Sequence, residues 1–200
     1  MKIDWYKHYR DKNLVYNKKY VEENLNLDKL YLELLDKYLK PKSKILECGC
    51  GPARTAISIA KKGFLVTAID NDSKMLNFAK DNAKIANMDI NFILLDYFKI
   101  KNHFKKDQFQ CITHQGVLEH HNPKKIIKLL KIQLSISKFI IVSVPLNTPF
   151  NIKYFEDKIH RNLWTKKYWL KILKEFNIVE TKTIKQRTDN LIIVIKRGDN

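Results

Sequence analysis

The stretch that most constrains what this chain can fold into runs from Lys44 to Thr55, read Lys-Ile-Leu-Glu-Cys-Gly-Cys-Gly-Pro-Ala-Arg-Thr. A short apolar strand, Ile45-Leu46, leads into Glu47 and a turn with glycines at 49 and 51. The pattern predicts a helix directly after the turn, with Pro52 at its first position, where the missing N–H costs nothing. Glycines two apart let the backbone pass a ligand with no Cβ in the way. The unpaired N–H groups of a helix start face that gap. Such a turn either holds a polar, flat-bodied ligand or is a plain strand-to-helix connection.

Neighbouring residues separate the ligand classes. A dinucleotide site needs a third glycine at position 54 for close helix–strand packing, and Arg54 is too large for that purpose. The next strand ends at Asp70, 19 residues beyond Gly51, with Asn71 behind it. A carboxylate at that strand end can accept both hydroxyls of a ribose; the plainer alternative is an N-cap for the helix from Ser73. Met75 stands just beyond, where it can pack on an adenine face.

The run Leu46-Glu47-Cys48-Gly49-Cys50-Gly51 resembles the first motif of the class I S-adenosylmethionine (SAM)-dependent methyltransferases, and three further features match that family in order over most of the chain. One is the acid at Asp70. The second is the end of strand three, Leu94-Leu95-Asp96-Tyr97, where the resemblance implies that Asp96 accepts from the adenine amino group and Tyr97 lines the adenine slot. An Asp at a strand end is also an ordinary turn residue. The third is Gln115-Gly116-Val117-Leu118-Glu119-His120, similar to the family's Gly-Val-Leu-Glu-His, whose first part runs beside the methionine moiety. The implied cofactor set is thus Glu47, Gly49, Gly51, Asp70, Asn71, Met75, Asp96, Tyr97, Gln115 and Val117, with SAM as cofactor.

Methyl transfer from a sulfonium requires an acceptor held in line with the C–S bond and shielded from water. A base is needed only where the acceptor must lose a proton. His120 is the candidate for that role, with a pH profile expected to rise through a histidine-like pKa. Tyr9, Tyr154 and His160 are candidate acceptor contacts. No metal is expected: adjacent histidines on a helix point about 100° apart, and His114-Gln115 is not the acidic pair that a magnesium-dependent relative would carry.

From Ile45 onward strands and helices alternate. Helices are expected over 53–62, ended by Gly63, over 73–86 with Met75, Leu76, Ala79, Ala83 and Ala86 inward, over 122–134, and over 165–176. Strands are expected at 45–46, 64–69, 91–95, 109–113, 139–144, 178–186 and 190–196. The last two are joined too briefly for a crossover and should pair antiparallel. The fold class is therefore α/β: an open, mostly parallel seven-stranded sheet with helices on both faces and an antiparallel C-terminal strand. Upstream, Leu27, Leu30, Tyr31, Leu34, Leu35 and Tyr38 form one buried helical stripe that Pro41 stops. Aromatic i,i+4 pairs, Trp5/Tyr9 and Tyr16/Tyr20, point to helical pieces before it. Residues 1–40 read as an N-terminal helical cap or lid, or as a helix packed on the flank. Residues 41–200 read as the methyltransferase domain, with a substrate-covering loop at about 146–164.

Composition enters as a check on partners. The net charge is +17, yet of 38 basic residues only five are arginine, and the lysines are scattered. Specific nucleic-acid sites lean on the arginine fork and aromatic stacking, so a solvated lysine surface is favoured over a nucleic-acid face. Three cysteines make no disulfide framework. No apolar run reaches the ~18 residues of a membrane span, and the N-terminus lacks a signal-peptide core, so a cytoplasmic location is expected. A small-molecule O- or N-methyltransferase leads. The alternatives are RNA or protein methylation, or SAM binding without catalysis; the Pro-Pro-aromatic signature of amino-nucleobase enzymes and the Pro-Cys of cytosine-C5 enzymes do not occur. Oligomeric state is not encoded in any pattern above.

Overall fold

Three short strands of four to six residues build the first part of the chain. The computed structural model describes residues 4–11, 18–157, 159–185 and 188–198, in two compact units, Met1–Lys99 and Ile100–Asn200.

In the first unit β1 (Lys44–Cys48), β2 (Leu65–Asp70) and β3 (Asn91–Leu94) run parallel in the order β3-β2-β1. Ile45, Leu46, Cys48, Ala68 and Ile69 are sealed from solvent. Helices α1 (Trp5–Asp11), α2 (Lys18–Tyr38), α3 (Arg54–Lys61) and α4 (Ser73–Ile85) complete the unit. The α2 stripe buries Tyr31, Leu34 and Leu35, and α4 buries Met75, Leu76, Ala79 and Ala83. Trp5 and Tyr9 do pair, with ring centroids 6.4 Å apart, and Tyr6 packs edge-on against Phe78 of α4. Tyr16 lies outside the described residues, and with it the second aromatic pair.

One expectation at the turn is corrected. Pro52 is not the first helical residue: α3 begins at Arg54, and Ala53 before it has φ +60°. The Ala53 N–H closes the turn on the Cys50 carbonyl at 2.9 Å, and the buried Asn82 amide donates to the Pro52 carbonyl at 2.9 Å. With Gly49 at φ +66° and Gly51 at +52°, left-handed residues recur at every second position, and the coil needs two residues more than a simple connection before a helix can start.

In the second unit β4 (Phe109–Gln115) and β5 (Ser137–Pro145) are parallel, while β7 (Asp189–Lys196) is antiparallel to both β5 and β6 (Asn177–Lys185), giving the order β4-β5-β7-β6. The seven expected strands are all present, mostly parallel and with the antiparallel C-terminal strand. Helices α5 (Pro123–Leu134), α6 (Pro149–Tyr154) and α7 (Lys166–Ile172) and short 3-10 turns at Ile100–Asn102 and Leu118–His120 complete this unit. Asn122 caps α5 through the Lys125 N–H at 3.0 Å, as its sequence position predicts. Next comes the stretch 146–164, read above as a substrate-covering loop. It contains α6 and is closed at its base by a bridge between Leu146 and Trp164. Helix α7 is shorter than the periodicity suggests, passing into a turn at Leu173. Among the described residues no helix is long and apolar enough to cross a membrane.

Candidate functional site

In the first unit the predicted residues gather at the carboxyl ends of the parallel strands. Asp70, last residue of β2, accepts the Gly51 N–H on Oδ2 and the Asp72 N–H on Oδ1, both at 3.0 Å. The helix cap is Asp72, whose side chain takes the Lys74 and Met75 N–H groups at 2.9 and 3.2 Å. The plainer reading of Asp70 as an N-cap is thereby removed; it braces the glycine turn from across the strand end. Burial raises its pKa, opposed by the N–H groups of Asp72 and Gly51. The Leu95 N–H bonds the Asp70 carbonyl at 2.9 Å, tying the end of β3, and with it Asp96 and Tyr97, to the same corner. Asp96 also accepts the Phe98 N–H at 2.8 Å, so it holds its own turn. Asn71 is exposed between these groups, and Met75 is fully buried in the first turn of α4.

Tyr9 stands over the glycine turn. A Cβ built on Gly51 would lie 3.7 Å from its ring and hydroxyl. Beneath the turn Glu47 is buried at 3% exposure. Its carboxyl is pushed up to about 8, first by burial and then by the nearby Asp28 charge; the Arg54 guanidinium and the Ala56 N–H pull the other way. The three cysteines are free and buried, and burial raises the Cys50 and Cys111 thiols, so they are inert.

In the second unit Gln115, Val117 and His120 cluster at the carboxyl end of β4. Gly116, φ +70°, turns the chain there, and its N–H reaches the Ser143 carbonyl at 3.4 Å. His120 Nδ1 lies 2.9 Å from the His160 carbonyl oxygen. A carbonyl can only accept, so the neutral ring carries its proton on Nδ1 and keeps the Nε2 lone pair. Burial lowers its pKa to about 4, with the Arg161 charge adding to it against the carbonyl bond. The expected histidine-like titration is thus displaced well downward. His160 enters through its backbone, its side chain being exposed. Asn162 donates to the Glu119 and His121 carbonyls at 3.0 and 2.8 Å and fastens the same 3-10 turn. Buried Glu119 is pushed up to about 7 by desolvation. His114 has a different part: fully buried, lowered to about 4, and paired with Gln133 at 3.3 Å, it belongs to the core. Tyr154 stands out on α6, 47% exposed and stacked on Phe150.

Sequence reasoning missed Asp28, Asn162 and the company Arg54 keeps. Asp28 lies three, four and seven residues before Tyr31, Leu32 and Leu35, all buried. A charge on the apolar stripe was a readable signal; nothing in the sequence marks Asn162. Among the described residues no three His, Cys, Asp or Glu side chains converge as metal ligands.

A family model described as a methyltransferase domain matches residues 45–136. The ubiquinone biosynthesis O-methyltransferase of Coxiella burnetii is 28% identical over 99 residues, 48% of this chain and 42% of that protein. The ribosomal RNA large subunit methyltransferase K/L of Legionella pneumophila is 25% identical over 144 residues, 71% of this chain and 20% of that protein. The chain thus spans less than half the length of the curated relatives it matches. Among solved structures, the magnesium protoporphyrin IX methyltransferase of Synechocystis PCC 6803 with bound SAH superposes with a TM-score of 0.70 at 19% identity, covering 90% of this chain and 85% of that one.

Proposed function

We propose that this chain transfers a methyl group from SAM to an oxygen or nitrogen of a small molecule, a reading supported by the likeness of residues 45–136 to a methyltransferase domain and of the fold to that of a methyltransferase with bound SAH. The observation that carries this reading is the braced glycine turn: Asp70 bonded to the Gly51 N–H at 3.0 Å, at the end of parallel strands. The turn leaves no side chain between backbone and ligand, and Asp70, Asp96 and Tyr97 offer a ribose and an adenine their partners. Bound SAM supplies a methyl group already activated by a positive sulfur. This chain's residues have to bind and orient, exclude water and, for a hydroxyl acceptor, take a proton. His120 fits that last task, because its Nδ1–H bonds the His160 carbonyl, which makes Nε2 the basic nitrogen of a ring that stays neutral well above pH 4. We read residues 1–40 as a cover segment, with Tyr9 over the turn, and 146–164 as the acceptor wall, with Tyr154 and His160 on it. A cytoplasmic setting goes with this reading.

A second reading, methylation of RNA or protein, draws support from the net charge of +17 and from relatives that include ribosomal RNA and ribosomal protein L11 methyltransferases. Labelled SAM offered with pooled metabolites, total RNA and lysate protein separates the two. Label in the metabolite pool is expected; label in RNA or protein alone overturns the small-molecule assignment, and binding with no label in any pool leaves a non-catalytic SAM-binding protein.

A further inference from the structure

We propose that the cavity at the amino ends of β4 and β5 binds a compact polyphosphate anion, free or carried by a nucleotide. The cavity holds about 600 Å³, within the range of small-molecule sites. It opens at the end of these strands opposite to Gln115 and His120, so nothing in the methyl-transfer reading uses it. Four cations line it: Lys101 from the first 3-10 turn, Lys106 from the turn before β4, Lys138 from the start of β5 and Arg197 just past β7. No acidic side chain lines it, and among the described residues no acid pairs with Lys101, Lys106 or Lys138.

Arg197 is the fixed member of the set. Its Nη2 meets Asp107 Oδ1 at 2.5 Å, with a third of the side chain exposed. Its Nη1 reaches the Leu134 carbonyl at 3.4 Å, and its backbone N–H bonds the Lys138 carbonyl at 2.9 Å. Asp107 thus offsets the guanidinium, and the three lysines keep their charge. Lysines spread over an open surface act singly in water, whereas a concavity with apolar walls, here Phe104 and Ile136, concentrates their field. Three uncompensated positive charges call for a ligand of similar negative charge, which a di- or triphosphate carries and a single carboxylate does not. A nucleic-acid strand fits less well, because strand binding leans on exposed rings for its bases. Phe104 is 7% exposed, and the rings of His103 and Phe109 meet it edge-on at 4.8 and 5.0 Å.

The test is calorimetry at about 0.15 M salt with inorganic tripolyphosphate, GTP, orthophosphate and a short single-stranded RNA. Guanine in place of adenine keeps the nucleotide probe away from an adenosine site. One tripolyphosphate should bind per chain, at least about tenfold more tightly than orthophosphate, and should raise the melting temperature. GTP binding equal to or weaker than tripolyphosphate makes free polyphosphate the ligand; tighter GTP makes it a nucleotide whose base lies on the apolar wall. Lys101→Glu combined with Lys138→Glu should weaken tripolyphosphate about tenfold or more. Gly198→Asp is the second variant, since a Cβ on this lining residue meets no atom within 4 Å. It should weaken binding severalfold with the melting temperature unchanged. No tripolyphosphate binding at millimolar concentration, or binding that both variants leave unchanged, overturns the proposal. RNA that binds more tightly than tripolyphosphate and loses its affinity in the same variants also overturns it, and gives the cleft to a nucleic-acid backbone.

Discussion

The glycine turn of the first unit and the 3-10 turn of the second are built on opposite plans. Around Gly51 the bracing runs from strand end to turn, the Asp70 carboxylate taking the backbone N–H groups of Gly51 and Asp72. Around His120 the direction is inverted. Backbone carbonyls of residues 119, 121 and 160 accept, the first two from the Asn162 amide and the third from the His120 Nδ1–H, each pair about forty positions apart in the chain. A backbone-donor site binds oxygen-rich ligands of one kind and tolerates little variation. A side-chain-donor site is tuned by whatever strap is laid across it. Under the proposed function, the first turn would serve the reagent and the second the acceptor.

His120→Ala is the sharpest way to break this division. Turnover should fall roughly 10²–10⁴-fold, the worth of a positioned base, with SAM affinity almost unchanged. Because the ring titrates near 4, steady-state rates of the parent should show no His120 step between pH 6 and 8. A step there that disappears in the variant would contradict the buried, Nδ1–H imidazole. A loss of SAM affinity in place of turnover would put His120 on the cofactor side.

Next in size is Asp70→Ala. A charge-assisted hydrogen bond is worth about 1.5–3 kcal/mol, so SAM binding should weaken at least about tenfold, and methyl transfer at saturating SAM should survive. Undiminished affinity in a folded variant would mean that Asp70 braces the turn and does nothing more.

Asn162→Ala tests the strap. Removing two hydrogen bonds to carbonyls costs about 2 kcal/mol, a melting shift of several degrees for a chain of this length. The acceptor KM should rise while SAM binding holds; a fall in SAM affinity of the same size would erase the distinction between the two turns.

The smallest effect is the pH dependence of stability without ligand. Glu47 and Glu119 are raised in the fold from 4.5 to about 8 and about 7, so the folded chain holds protons there that the unfolded chain has lost, and stability falls as pH rises through that window. His114 and His120 are lowered from 6.5 to about 4, so stability also falls as pH drops below 6.5. The two trends oppose each other between 4.5 and 6.5; above 6.5 only the carboxyls remain, and the melting temperature should decline from pH 6.5 to 8. A flat melting curve across that range would show both carboxyls to be solvated.

Most of the fold was legible because its signals are local. The stripe through Leu34 and Leu35 and the Asn122-Pro123 start of α5 each name their own structure within a few residues. The errors fell where a distant partner decides. Pro52 looked like a helix start, but the buried Asn82 amide, 30 residues on, holds its carbonyl inside a turn that runs on through Ala53. The bridge between Leu146 and Trp164 is likewise announced by neither residue. At the candidate site the asymmetry repeats: the Gly-x-Gly and strand-end acids were readable, whereas the tautomer of His120 depends on a carbonyl 40 positions away.

Asn151 carries a consequence of its own. Buried on a helix that is otherwise largely in solvent, it donates to the Leu146 and Asp189 carbonyls at 2.8 and 2.7 Å and accepts the Asp189 N–H at 2.9 Å, while Phe150, Ile152 and Tyr154 face outward. One amide is the root of α6, and the bridge between Leu146 and Trp164 shuts the segment at its neck. The outward side chains of α6 take no part in these attachments and can be rewritten with β5 and β7 none the worse. Sequence on that face of α6 is free to drift faster than the strands that support it.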